Sequence, residues 1–182
     1  IASVIKVLKS DFLTQGPLVP IFEKKISQKV KSKYSVATNS ATSALHISCL
    51  SLGLKKGDYL WTSANSFVAS SNCGLYCGAT VKFIDIDLET FNISYEILEK
   101  ELIKANKKNR LPKIVIPVHF AGLPSDQNKI YQLSKKYNFK IIEDASHSLG
   151  SKSQNERVGS CKWSSISIFS FHPIKTITTG EG

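Results

Sequence analysis

Apolar, β-rich runs that do not alternate recur along this chain at wide intervals. VKFIDI (Val81–Ile86) and KIVIPVHF (Lys113–Phe120) are nearly continuous. A strand with one wet face alternates, whereas a continuous run fits a strand buried on both faces. Strands are expected at Tyr34–Thr38, Tyr59–Thr62, Val81–Ile86, Ile114–Phe120, Phe139–Glu143 and Ser165–Phe171. Helical patterns lie between them, at Ala41–Leu52, Phe67–Tyr76, Tyr95–Asn106 and Asp126–Tyr137. Ser94 is placed to cap one of these, and Ser125 and Asp126 open another in which Ile130, Leu133 and Tyr137 share a face. This alternation predicts βαβ crossovers and an α/β fold, a mainly parallel sheet with helices on both faces. Gly53–Asp58, Lys107–Lys113 and Ser151–Val158 read as loops. Residues 1–33 are more helical and polar and are expected to form an N-terminal arm, leaving 34–182 for the sheet domain.

Composition narrows the function. The net charge is +10, and all the basic residues but Arg110 and Arg157 are lysines. Lysines such as Lys24, Lys25, Lys100 and Lys104 sit between apolar helical positions, the pattern of a solvated helix face rather than a nucleic-acid footprint. The four cysteines, Cys49, Cys73, Cys77 and Cys161, are too scattered for a metal site and are expected to be reduced thiols. No run is long enough to span a membrane, and IASVIKVLKSDF is too charged for a signal peptide, so a cytoplasmic protein is expected. The chain contains no Met, begins at Ile1 and stops at Gly182, so it reads as a piece of a longer protein.

In an open α/β sheet, ligands gather beyond the carboxyl ends of the strands. Three segments there carry chemistry. Thr38–Ala44 opens a helix with small hydroxyl residues, and free N–H groups at a helix start can cradle a phosphate; a plain N-cap would look the same. Asp144 ends the apolar strand FKIIED, with His147 three residues on; the carboxylate could pair with a buried cation or cap a turn. Lys175 follows SISIF in a stretch otherwise free of charge, and an amine in apolar surroundings is a competent nucleophile, though a lysine there can also reach the surface.

Taken together, the three are the parts of a pyridoxal 5'-phosphate site. The lysine holds the cofactor as a Schiff base, the carboxylate keeps the pyridine nitrogen protonated, and the cradle anchors the phosphate. Phe67, just after the strand with Trp61 and Thr62, is placed to supply a flat group over the ring, unless it is a core residue.

The ordered series LKSDFLTQGPLVPIFE, TNSATSALH, SFVAS, GATVKFIDID, PVHFAG, IEDASHSLG and FSFHPIKTITTGEG resembles the DegT/DnrJ/EryC1/StrS sugar aminotransferases, a branch of the fold-type I pyridoxal phosphate enzymes. The resemblance spans essentially the whole chain. It implies Lys175 as Schiff-base lysine and proton shuttle, Asp144 on the pyridine nitrogen, and His147 beside the ring hydroxyl. It implies Ala41, Thr42 and Ser170 on the phosphate, Phe67 as the stacking group, and Gln15 and His172 as substrate contacts. Its wording is most similar to the aminotransferases of pseudaminic acid biosynthesis. That implies transfer from L-glutamate to C4 of a UDP-linked 4-keto-6-deoxy sugar, for surface glycan synthesis. Relatives are homodimers with a smaller C-terminal domain, so 34–182 is expected to be an incomplete large domain with that small domain absent. Neither a metal, a nucleic acid nor a membrane is implied. Rival readings are a non-catalytic cofactor-binding regulator, an aminotransferase for another dTDP-, UDP- or GDP-linked keto sugar, and a dehydratase of this fold. The dehydratase has His where this chain has Lys175.

Overall fold

The computed structural model describes all residues, Ile1–Gly182. Five strands form one parallel sheet: β1 (Tyr59–Ser63), β2 (Thr80–Ile84), β3 (Ile114–Ile116), β4 (Lys140–Asp144) and β7 (Ile166–Ile168), in the order β2-β1-β3-β4-β7. A short antiparallel hairpin, β5 (Lys152–Ser153) and β6 (Glu156–Arg157), lies within the expected loop 151–158. It turns through Gln154 and Asn155, both at positive φ, as a tight hairpin requires.

Successive side chains of a strand point to opposite faces, and this divides the core in two. Trp61, Val115 and Ile141 pack with α5 (Tyr95–Lys107) and α6 (Gln127–Tyr137) through Leu98, Leu102, Ile130 and Leu133. Leu60, Ile114, Ile116, Ile142 and Ile168 face the other way, against α3 (Ala41–Ser51) and α4 (Ala69–Tyr76) through Leu45, Cys49, Ala69 and Cys73. The α/β expectation therefore holds, and the continuous apolar runs are the cause. The helices begin where the caps were read: Ser94 Oγ accepts from the N–H of Ile97, and Asp126 accepts from that of Lys129.

Boundaries moved for local reasons. Pro117 has no N–H to give a ladder, and β3 stops just before it. The expected strand at Tyr34–Thr38 is not one. The segment joins no sheet; the N–H of Ala37 donates to the Glu23 carboxylate, and the Ser32 hydroxyl donates to the carbonyl of Tyr34. Sequence pattern cannot say whether a partner strand is at hand.

Ahead of it lie α1 (Ala2–Leu8), which buries no residue, and α2 (Leu18–Val30). The second is docked: Val30 is buried, Phe22 meets Phe171 edge-on at 5.1 Å, and the Arg157 guanidinium donates to the carbonyl of Lys29.

The core makes a stability prediction. Leu98 is fully buried in the cluster that holds Trp61, Ile130 and Leu133. Leu98→Ala should destabilise the fold by about 2–5 kcal/mol, since the cavity adds to the lost burial; urea denaturation measures it.

Candidate active site

The strand order reverses at β1. The crossover from β1 to β2 runs one way, and the next, to β3, returns to the other side. A crevice opens at the carboxyl ends on either side of such a reversal. Asp144 ends β4 near it, and α4 enters over it from the loop after β1.

Asp144 is 5% exposed. Such a carboxylate is costly to bury unless its oxygens are hydrogen-bonded. Oδ2 accepts from the Ser70 hydroxyl at 2.6 Å; Oδ1 accepts from the Ser146 hydroxyl at 2.6 Å and from the Ser146 N–H at 3.2 Å. The Ser66 hydroxyl in turn donates to Ser70 at 2.8 Å. Ser70 and Ser146 were not singled out from sequence. The available signal was faint: a serine in the first turn of α4, and the Asp-x-Ser spacing that lets an aspartate bond its own backbone two residues on.

Lys175 follows β7 on a turn built by His172. The N–H of Lys175 donates to the His172 carbonyl at 2.9 Å, and Nδ1 of His172 accepts from the N–H of Ile174 at 3.4 Å. The lysine is partly exposed rather than enclosed in apolar matter. Its Nζ donates to His147 Nε2 at 2.7 Å. Burial and the Lys175 charge hold the His147 pKa below its ordinary value, while Asp144 pulls it the other way. The neutral ring is therefore favoured, which suits it as acceptor. His147 thus lies against Lys175 and within the electrostatic reach of Asp144.

The segment read as a phosphate cradle forms the N-terminus of α3. Ser40 caps it by accepting from the N–H of Ser43, and the N–H groups of Ala41 and Thr42 have no backbone partner. Gly182 lies between Phe171 and Thr38: its carbonyl accepts from the N–H of Phe171 at 2.8 Å and from the Ser170 hydroxyl at 3.4 Å. Phe67, ahead of α4, is 72% exposed, so it is not a core residue. Gln15 is exposed at positive φ before α2, and no hydrogen bond joins it to the other site residues.

The chain matches the DegT/DnrJ/EryC1/StrS aminotransferase family over residues 1–182 and belongs to it. It is 41% identical, over its whole length, to a UDP-4-amino-4,6-dideoxy-N-acetyl-beta-L-altrosamine transaminase of Campylobacter jejuni, covering 46% of that protein. Helicobacter pylori PseC, an aminotransferase of pseudaminic acid biosynthesis, superposes with a TM-score of 0.90 at 35% identity, over 99% of this chain and 47% of PseC. A sugar aminotransferase of Streptococcus pneumoniae, solved in its PLP and PMP forms, has a TM-score of 0.87 in each at 29% identity, over 100% of this chain and 48% of its own. The chain spans about half the length of the curated relatives it matches.

The donor set fits pyridoxal phosphate. Asp144 keeps a lone pair for a ring N–H, Lys175 offers an amine, Phe67 an exposed flat face, and α3 unpartnered N–H groups for a phosphate.

Two predictions follow from this geometry. In the cofactor-free protein, NMR should titrate His147 below the ordinary 6.5, and Lys175→Ala should raise the midpoint by removing the neighbouring cation. Stability from the neutral ring is present above the unfolded value and is lost as the pH falls from there through the folded one. Phe67→Ala should change folding stability by no more than about 0.5 kcal/mol, yet weaken cofactor binding by roughly 0.5–1.5 kcal/mol through lost stacking. Thermal melting and cofactor titration separate the two effects.

Proposed function

We propose that this chain is the cofactor domain of a pyridoxal phosphate-dependent aminotransferase. In this reading the whole protein moves an amino group from L-glutamate to C4 of a nucleotide-linked 4-keto-6-deoxy sugar. The sugar is UDP-linked, on the route to pseudaminic acid for surface glycans. The observation that carries the reading is the convergence of Lys175, His147 and Asp144 at the strand ends. The names of the similar Campylobacter and Helicobacter proteins support the sugar assignment.

The bound cofactor supplies the electron sink that lets a proton leave the amino-bearing carbon. Lys175 would hold the cofactor through its amine and, when that amine is free, would take and return that proton. Asp144 holds the proton on the ring nitrogen. Its two serine donors fix its direction and stabilise its charge before any ligand arrives, so the site need not reorganise during the reaction. His147 accepts from Lys175 and flanks the ring hydroxyl. The α3 N–H groups of Ala41 and Thr42, with Ser170, bind the phosphate; Phe67 covers the ring, and Gln15 and His172 meet the substrate.

In this reading residues 1–33 are an arm, 34–182 are most of the large domain, and a smaller C-terminal domain completes the protein. It works in the cytoplasm as a homodimer. Val4, Ile5, Leu8, Phe12 and Leu13 are exposed apolar residues on the arm, as a surface that meets another chain or domain would be.

The test uses the whole protein. L-glutamate should convert the cofactor absorbance to the amine form, and a UDP-4-keto-6-deoxy sugar should restore the aldehyde form. Borohydride should label the wild type covalently and leave Lys175→Ala unlabelled. A holoprotein that binds the cofactor yet never reaches the amine form with saturating glutamate would be a regulator, and the enzymatic reading would fall.

A further inference from the structure

Neighbouring residues of a strand face opposite ways, so Glu143 projects away from Asp144, toward α6. It is 2% exposed, and its Oε2 has no hydrogen-bond partner. His119 Nε2 stands 3.6 Å from it. His119 is itself only 1% exposed. Neither group has a part in the chemistry above, and a buried carboxylate beside a buried imidazole is costly to keep without a purpose.

The proton on His119 can be placed. The backbone N–H of Ser125 donates to Nδ1 at 3.1 Å, and the Ser125 hydroxyl gives its own hydrogen to the carbonyl of Val118. A nitrogen that accepts carries no hydrogen, so the ring hydrogen sits on Nε2, which faces Glu143; the Gln127 amide, 3.3 Å from Nε2, can accept that hydrogen only with its oxygen, not its nitrogen, turned to the ring. Nδ1 thus pegs the ring to the start of α6, and Nε2 faces the Glu143 carboxylate of β4 across 3.6 Å, a charge–dipole contact longer than a hydrogen bond.

The same residue holds the peptide that carries Asp144. The His119 N–H donates to the Asp144 carbonyl at 3.0 Å, and the Asp144 N–H donates to the carbonyl of Pro117 at 3.0 Å. Val118 and Asp144 form an isolated parallel bridge there, just past the end of the β3–β4 ladder. Without the peg, this last rung would be free to fray.

We infer that His119 is a positioning residue. As an imidazole protonated at Nε2 only, it locks the ends of β3 and β4 to α6 and so sets the height of the Asp144 carboxylate. The inference rests on the reading that Asp144 meets the cofactor ring nitrogen.

The ring nitrogens report it directly. In the cofactor-free protein at neutral pH, 15N shifts should show Nδ1 bare and Nε2 protonated; the reverse tautomer would overturn the proposal. In the whole holoprotein, His119→Asn keeps an acceptor for the Ser125 N–H but is too short to reach Glu143. It should raise the cofactor dissociation constant and lower kcat, each by roughly 10–100-fold, with the KM for glutamate little changed. His119→Gln, whose amide reaches the Nε2 position, should recover much of the loss. A lowered melting temperature with unchanged cofactor affinity and kcat would make His119 a structural plug and overturn the proposal. If His119→Asn does not fold, Glu143→Gln carries the test: it keeps the volume and should weaken cofactor binding severalfold, and unchanged affinity there overturns the proposal. Asp144→Asn separates the two readings. If it binds and turns over normally, the site assignment falls and this inference with it; if it is impaired while His119→Asn is not, only this inference falls.

Discussion

The buried charge of Asp144 sets the terms for the rest of the site. Taking a carboxylate out of water costs several kcal/mol unless its oxygens are satisfied. Here that need is met from two directions, by Ser70 on α4 and by Ser146 on the turn after β4. Satisfying it requires α4 to cross the strand ends at one height, which fixes how α4 lies on β1 and β2. Gly74 permits that approach, since a Cβ there would stand 3.0 Å from Val81 and 3.2 Å from Leu60. The position of a charge and the packing of a helix are in this sense one constraint.

The sequence pattern was most informative where burial is two-sided. Lys113–Phe120 and Phe139–Glu143 carry strands buried on both faces, because a mostly apolar run has few other homes; Val81–Ile86 carries the edge strand β2, whose Phe83 is exposed, so there the run did not mean two-sided burial. It misled at Tyr34–Thr38, whose β-rich residues join no sheet. Strand formation is a pair property, and a single segment carries no record of its neighbour. The hairpin inside 151–158 was hidden because two residues a side leave no periodicity to see.

The candidate residues easiest to pick out were those whose chemistry is unusual for their surroundings. Asp144 and Lys175 stood out in apolar or uncharged stretches. Ser70 and Ser146 did not, since serine is common at helix starts and turns and its partner is far away in sequence. Glu143 and His119 were invisible for a related reason: adjacent to Asp144 or inside PVHFAG, they read as more strand, and only the fold shows that they face each other across the sheet from the cofactor side.

Lys175 has a second dependence on those serines. It makes no salt bridge; its one polar side-chain contact is a histidine kept neutral partly by the lysine's own charge. An amine locked into an ion pair with a carboxylate would have to break that pair before bonding a carbonyl carbon, and the carboxylate would be drawn off its target. Asp144 is spared this because Ser70 and Ser146 hold its oxygens from α4 and from its own turn. His147 stands beside the lysine and carries no opposite charge to trap it. The two charged groups can thus share one crevice without neutralising each other, which leaves the acid end and the amine end of the site separately available to a ligand that spans them.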